Sequence, residues 1–426
     1  MKPYDTYKDS GIEWIGAIPS HWEVKKIKHR CYVKARVGWK GLKSDEFLQE
    51  GYAYLVTGSD FKNDKVNWKE CYHIDKERYE EDPYIQLQDE DLLITKDGTI
   101  GKLAIVNNLD KPACLNSGIF VVRSTKVDFS TEFLFWILKS KMFTQFNEYT
   151  SYGSTIQHLY QNVFVEFGFT FPSKEEQTAI ATYLDGKTAE IDALIADKKQ
   201  LLELYEEEKT AIINQAVTKG IDPKIKMKDS GIEWLGEIPE HWEVKKVKHI
   251  LKSLNNIRVP LSAEERGKMV ERTYDYYGAS GIIDKVENYL FDEPLLLIGE
   301  DGANLVTRNS RLAFIAKGKY WVNNHAHILK PTFGLLEYYC ELLELCDYSI
   351  WISGSAQPKL TSENLMNINV VVPPLEEQQS IVRHIETECT CINAKIAKTQ
   401  KLIELLTEYR TAIISEVVTG KIKITN

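Results

Sequence analysis

One feature limits the fold more than any other: a 22-residue tract that occurs twice. Residues 8–29 read KDSGIEWIGAIPSHWEVKKIKH and residues 228–249 read KDSGIEWLGEIPEHWEVKKVKH, with 18 of 22 positions matching at an offset of 220. A period this long lies outside the solenoid repeats and means a duplicated domain. The chain therefore has two equivalent halves.

Its 426 residues, 43% of them hydrophobic, suffice for two or three domains, each with a core. No run of about 18 apolar residues appears, so no transmembrane helix is expected. Met1-Lys2-Pro3-Tyr4-Asp5 lacks the apolar region of a signal peptide, which points to a cytoplasmic protein. The seven cysteines are odd in number, scattered and without a CxxC pair, and read as free thiols, not zinc ligands or disulfides. The net charge of -9 removes the simplest sign of a nucleic-acid binder. It does not exclude one, because local fields outweigh the sum.

After the first tract, residues 30–172 alternate short apolar runs with turn signals. Asp91–Thr95 reads as a buried strand, Lys96–Lys102 as a turn and Leu103–Val106 as the returning strand. Ile119–Val122 is a second apolar run. Residues 133–146 have helical spacing, Gly153–Leu159 is a polar loop, and Val163–Phe171 reads as a closing strand. Ser173 and Glu176 then have capping-box spacing. A heptad seam follows through Leu184, Thr188, Ile191, Ile195, Lys198, Leu202, Tyr205, Lys209, Ile212 and Ala216. The helix is expected to kink or split at Asp185-Gly186, and Gly220 with Pro223 ends it.

The second half repeats this plan. Leu296–Gly302 aligns on Leu92–Gly98, and Gly354–Leu360 on Gly153–Leu159. Pro373–Gln378 opens a second helix with the seam Ile385, Cys389, Ile392, Ile396, Thr399, Ile403, Leu406, Arg410, Ile413 and Val417. Two seams in one chain are expected to pair with each other, and Lys198, Lys209, Thr399 and Arg410 to fix their register. Tyr274–Asp284 has no visible counterpart in the first half. The frame is duplicated while its contents differ, as in one scaffold carrying two specificities.

No catalytic constellation survives inspection. Gly186-Lys187-Thr188 lacks the first glycine of a phosphate loop, since Ala181 stands there. Glu23-Val24-Lys25 and Glu243-Val244-Lys245 form half of a nuclease signature without its preceding Pro-Asp. No methyltransferase Asn-Pro-Pro-aromatic motif occurs. His325 and His327 form an HxH with no Asp, Glu or further His partner visible in the sequence, which argues against a metal site. A chain this long without such motifs reads as a binding or assembly subunit.

These residues resemble the specificity subunit of type I restriction-modification enzymes. The resemblance rests on the Trp-Ile-Gly-x-Ile-Pro-x-His-Trp tracts at Trp14 and Trp234 and on the two variable regions. Each region is followed by a long helix entered through a Pro-x-x-Glu-Glu-Gln type motif. The segments Asp97–Lys102, Tyr277–Ile283 and Trp321–Ala326 add to it. One departure is that Ile156-Gln157-His158 does not align cleanly on Gln357-Pro358-Lys359.

The resemblance implies a mixed α/β (α+β) fold built as a pseudo-two-fold internal repeat. Residues 1–172 and 221–373 would be target recognition domains of short strands and helices. Residues 173–220 and 374–426 would be long helices pairing as an antiparallel coiled coil. Each recognition domain would read one half of a bipartite, asymmetric double-stranded DNA target, with the helices setting the spacer.

Two modification (methyltransferase) subunits would dock on the helices, joined by two ATP-dependent restriction subunits. S-adenosylmethionine, ATP and Mg would belong to those partners, leaving this chain non-catalytic, with no metal and no cofactor. By residue type and loop position, the candidate DNA contacts are Lys96, Thr99, Lys102, Gln157 and His158, then Asn304, Arg308, Arg311, Gln357 and Lys359. Candidate helix-pairing and docking residues are Ile191, Ile195, Leu202, Ile212, Ile392, Ile396, Ile403 and Ile413. The alternative is a coiled-coil assembly scaffold that makes no base-specific contact.

Overall fold

The computed structural model describes residues 2–36, 42–150, 158–354 and 357–424. It divides into two compact units, Met1–Lys199 with Lys401–Asn426, and Gln200–Gln400. Each unit holds one copy of the tract, one mixed domain and a portion of both long helices.

In the first unit the tract folds as a hairpin, Tyr7–Asp9 against Ala17–Pro19. Trp22 follows it, fully buried. Its indole N–H donates to Glu176 Oε1 (3.2 Å), which also accepts from Tyr4 Oη (3.1 Å) and meets His21 Nε2 (3.1 Å). Glu176 lies in the first turn of the helix Lys174–Lys219. It closes the expected capping box with Ser173 at 3.3 and 3.4 Å. The tract thus anchors the start of a long helix. The end of the other helix in this unit is held by the residue before the tract and by the strand Gly168–Phe171, for Tyr7 Oη donates to Gly420 O (3.0 Å) and Thr170 Oγ1 to Val418 O (2.5 Å).

A six-stranded sheet forms the domain's centre. Ile119–Ser124 lies antiparallel between Cys31–Lys34 and Leu92–Thr95, and Leu103–Ile105 returns against Leu92–Thr95. One face packs on the helices Thr131–Lys139 and Lys141–Thr150 and on the long helices, with Phe133, Ile137, Leu184, Ile191, Ile413 and Val417 in one apolar core. The other face meets a smaller sheet through Leu55, Leu93, Leu115 and Val121.

The second unit repeats these pairings. Its tract hairpin is Met227–Asp229 against Glu237–Pro239, and Trp242 is again fully buried. His241 Nε2 meets Glu377 at 2.7 Å, and Tyr338 Oη donates to Val217 O (3.1 Å). Ala326–Pro331 lies between Leu251–Ser253 and Leu295–Gly299, in the register of the first unit. Ile298 faces His327 where Ile94 faces Phe120.

Three sequence expectations change. Val163–Phe171 is not one strand: Gln161–Phe164 is a helical turn and Gly168–Phe171 alone pairs, with Glu23–Lys26. The helix Lys174–Lys219 runs through Asp185-Gly186 unbroken. Gly186 there has open space around its α-carbon, and Asp185 accepts from Trp136 Nε1 (2.9 Å). Of Tyr274–Asp284, the part Tyr274–Gly278 does have a counterpart. Tyr277 pairs in parallel with Val322 as Val56 does with Leu115, so Tyr274–Gly278 stands where Ala53–Val56 stands. The sequences share nothing there because the register is set by main-chain bonds.

Along the long helices, burial follows the expected seams. Ile191, Ile392 and Ile413 are buried; Ile195, Leu202, Ile212, Ile396 and Ile403 are half-buried. Within the first unit Arg410 forms a two-pronged pair with Asp192 (2.7 and 2.9 Å). Within the second, Lys209 Nζ donates to Asn393 Oδ1 (3.1 Å).

Candidate nucleic-acid interface

The loop after Leu92–Thr95 is built by Thr95. Its hydroxyl donates to Thr99 O (2.5 Å) and accepts from Lys102 N (2.9 Å), so Thr99 and Lys102 sit on a closed turn. Gly98 and Gly101 carry φ of +67° and +83°, which L side chains rarely adopt. Lys96 N donates to Gly118 O (2.9 Å), and Leu159 N to Lys96 O (3.0 Å). Three segments are thereby gathered at one sheet end. Lys96 Nζ pairs with Asp97 (3.1 Å) and lies 5.9 Å from the centre of the Phe120 ring. His158 Nδ1 also pairs with Asp97. Lys96, Thr99, Lys102 and His158 are thus brought together; Gln157 lies outside the described residues.

The second unit gathers the same three segments by the same bonds. Glu300 N donates to His325 O (2.8 Å) and Leu360 N to Glu300 O (2.8 Å). Its side chains are different. Glu300, 8% exposed, accepts from Arg258 Nη1 and pairs with Lys359 Nζ at 3.2 Å. Burial opposes its ionisation, but Arg258 and Lys359 beside it outweigh that and hold its pKa below the ordinary value. His327 is fully buried; Nε2 meets Leu360 O (2.8 Å) and Nδ1 meets Asn255 Nδ2 (2.9 Å). A carbonyl requires an N–H and an amide N–H requires a lone pair, so the ring is the neutral Nε2–H tautomer. Burial lowers its pKa and agrees with that state. His325 Nδ1 meets Asp301 at 2.8 Å.

The HxH therefore has the acidic partners that the sequence left out of view. They come from Glu300 and Asp301, about two dozen residues upstream, through the pairing of Leu295–Gly299 with Ala326–Pro331. No group of three or more His, Cys, Asp or Glu side chains suited to a metal ion occurs among the described residues.

The remaining candidates divide. Gln357 is exposed and Lys359 half exposed beside it. Asn304 exchanges both amide groups with the Ser310 backbone at 2.9 Å. Arg308 donates to Glu344 O (3.0 Å) and Cys346 O, closing the end of the helix Leu336–Leu345. Arg311 pairs with Glu341 (2.8 Å). These three are tied to the scaffold. Sequence reasoning passed over Arg258, Glu300 and Asn255. The Lys96-to-Glu300 exchange was the available signal, since a carboxylate at a loop position otherwise basic asks for a cation nearby. The tract lysines have acidic or amide partners as well: Lys26 and Lys28 meet Glu166 at 2.9 and 2.6 Å, and Lys248 meets Asn367 at 3.3 Å.

Comparison with known proteins agrees with this duplication. The family model of the type I restriction modification DNA specificity domain matches twice, over residues 19–204 and 239–406. The two matches begin 220 residues apart, the offset of the tract. The chain is 24% identical to the type I restriction enzyme MjaIX specificity subunit of Methanocaldococcus jannaschii, covering 96% of this chain and 95% of that one. It is 22% identical to the EcoKI specificity subunit of Escherichia coli K12, covering 87% and 82%. Its fold is similar to that of a chain solved in a study of complex assembly in a type I R-M system (TM-score 0.67, 15% identity, 95% and 99% covered). It is also similar to the HsdS subunit from Thermoanaerobacter tengcongensis (TM-score 0.58, 14% identity, 97% and 100% covered).

Proposed function

We infer that this chain, which belongs to the type I restriction modification DNA specificity family, is the DNA sequence-specificity subunit of a type I restriction-modification complex. The observation that carries the finer reading is one frame holding two different side-chain sets. Each unit presents an equivalent loop cluster, Lys96–Lys102 with His158 in one and Glu300–Asp301 with Lys359 in the other. Each recognition domain reads one half of a bipartite DNA target. Side chains on loops discriminate bases by their donor and acceptor edges, so different sets read different halves.

The two long helices pair antiparallel as a coiled coil, in an internal pseudo-two-fold repeat. Two pairs, Asp192 with Arg410 and Lys209 with Asn393, support this, because the residue numbers in each add to 602 as a constant antiparallel register requires. The polar seam members Lys209 and Arg410 fix that register. The helices set the unread spacer and dock two modification subunits, which carry S-adenosylmethionine and flip the target adenine. Two restriction subunits complete the complex with ATP and Mg, and this chain supplies position without chemistry.

The test is an adenine-methylation map of host DNA with and without this gene, the modification subunit being co-expressed. Loss of one split, asymmetric motif is expected. An unchanged map contradicts the reading.

A further inference from the structure

The second unit holds an arginine, Arg258, at the centre of its loop cluster. Arg258 leaves the turn Asn255–Ile257, and its Nε donates back to Asn255 O (3.2 Å). Nη1 donates to Glu300, to Asn324 O (3.2 Å) and to Ala326 O (2.8 Å). Nη2 has no hydrogen-bond partner among the described residues. The guanidinium thus stands where three segments of the loop cluster converge, with the exposed Asn324, His325 and Lys359 beside it. Arg308, in contrast, spends both terminal nitrogens on Glu344 O and Cys346 O at the end of the helix Leu336–Leu345, and Arg311 Nη2 pairs with Glu341 on that helix, away from the cluster.

We propose that Arg258 is a base-reading side chain of the second domain, held in place by Glu300 and reading a guanine. Three observations carry this. A terminal nitrogen is left over at the centre of a polar loop cluster. The side chain is fixed by a carboxylate and three carbonyls, so little rotamer freedom remains to be lost on binding. Arginine donors match the two acceptors, N7 and O6, that guanine shows in the major groove. Glu300 is a positioning residue. It is 8% exposed and its oxygens are taken by Arg258 and Lys359, so it acts through them. The first unit has Lys96 at the matched position and cannot build the same clamp.

The inference rests on reading the second unit as a recognition domain, and its test keeps the two apart. The chain is assembled with its modification subunit, and methylation motifs are mapped on genomic DNA for the native protein, Arg258→Ala, Arg258→Lys and Glu300→Gln. Both arginine variants are expected to relax one G·C pair in one half-site, discrimination there falling roughly 10- to 100-fold. The rest of that half and the whole of the other stay unchanged, which also shows that both domains are folded. Glu300→Gln relaxes the same pair to a smaller degree; a merely structural Glu300 would lower the melting temperature and leave base preference alone.

If Arg258→Lys keeps full discrimination at every position, the inference is overturned while the specificity reading stands. If the native complex marks no split motif, both fall.

Discussion

The two loop clusters share a backbone and oppose each other in chemistry. In the first unit an ammonium, Lys96, lies over the apolar ring of Phe120. In the second a carboxylate, Glu300, lies by the imidazole of His327, 3.5 Å from Nδ1. Phe120 and His327 occupy the same register position, opposite Ile94 and Ile298. The bonds that gather each cluster run between main-chain groups, at 2.8 to 3.0 Å in both units. They do not depend on what the side chains are. Such a frame lets the side chains of the cluster change, buried ones such as Phe120 and His327 included, while the main-chain pairing stays the same.

Exchanging the paired residues is the sharpest way to break this comparison. Phe120 is 2% exposed and stacked on Phe164 at 5.8 Å. Phe120→His puts an imidazole there without the side-chain amide that serves His327, since Ala35 stands at the register position of Asn255. It is expected to destabilise the first unit by about 2–4 kcal/mol, read from a denaturant titration. The reverse change, His327→Phe, strands the Asn255 amide and the Leu360 carbonyl and costs about 1–3 kcal/mol. Equal tolerance of both changes would mean that the clusters are interchangeable after all.

The tract tryptophans give a smaller contrast. Trp22 donates to a carboxylate, whereas the buried Trp242 N–H has no partner among the described residues. Trp22→Phe should therefore cost about 1–3 kcal/mol more than Trp242→Phe. A further step down are the glycines that end the long helices, Gly420 at φ +72° and Gly220 at φ +76°. A Cβ on Gly420 meets the Pro19 ring, while one on Gly220 stays 3.4 Å from Trp242 and Glu377. Both Gly→Ala changes carry the left-handed penalty, and Gly420→Ala should exceed Gly220→Ala by about 1 kcal/mol in thermal melts.

The smallest effect is a pH dependence at the second unit's cluster, from the buried His327. Burial lowers the folded pKa of His327 below its ordinary 6.5. The unfolded chain then binds the proton first, so stability is complete above pH 6.5 and falls as the pH drops below it. Glu300 adds to the loss only at more acid pH, below its ordinary 4.5, because its folded pKa is depressed. Amide exchange in Leu295–Gly299 should accelerate between pH 7 and pH 5.5, after correction for intrinsic rates, more than in Leu92–Thr95. His327→Phe should remove the difference.

The frame was legible in the sequence because its signals are local or repeated. The tract, the hairpin at Lys96–Lys102 and the capping box at Ser173 each follow from neighbouring residues. The seams follow from period, and burial marks the same positions in both helices. What stayed hidden depends on pairing between distant strands. Arg258, Glu300 and His327 lie far apart in the chain and meet only through the register of Ala326–Pro331. Arg308 and Arg311 looked like DNA contacts by residue type; only the fold shows their bonds to Leu336–Leu345. Tyr274–Gly278 escaped because its equivalence to Ala53–Val56 lies in strand pairing and not in side chains.

The central claim is that one duplicated frame carries two independent readers. Its most direct test replaces residues 30–172 with the corresponding region of another family member and maps the methylation motif of the assembled complex. The account predicts that one half of the recognised sequence changes while the other half and the spacer remain. A change in both halves would contradict it, and so would an unchanged motif.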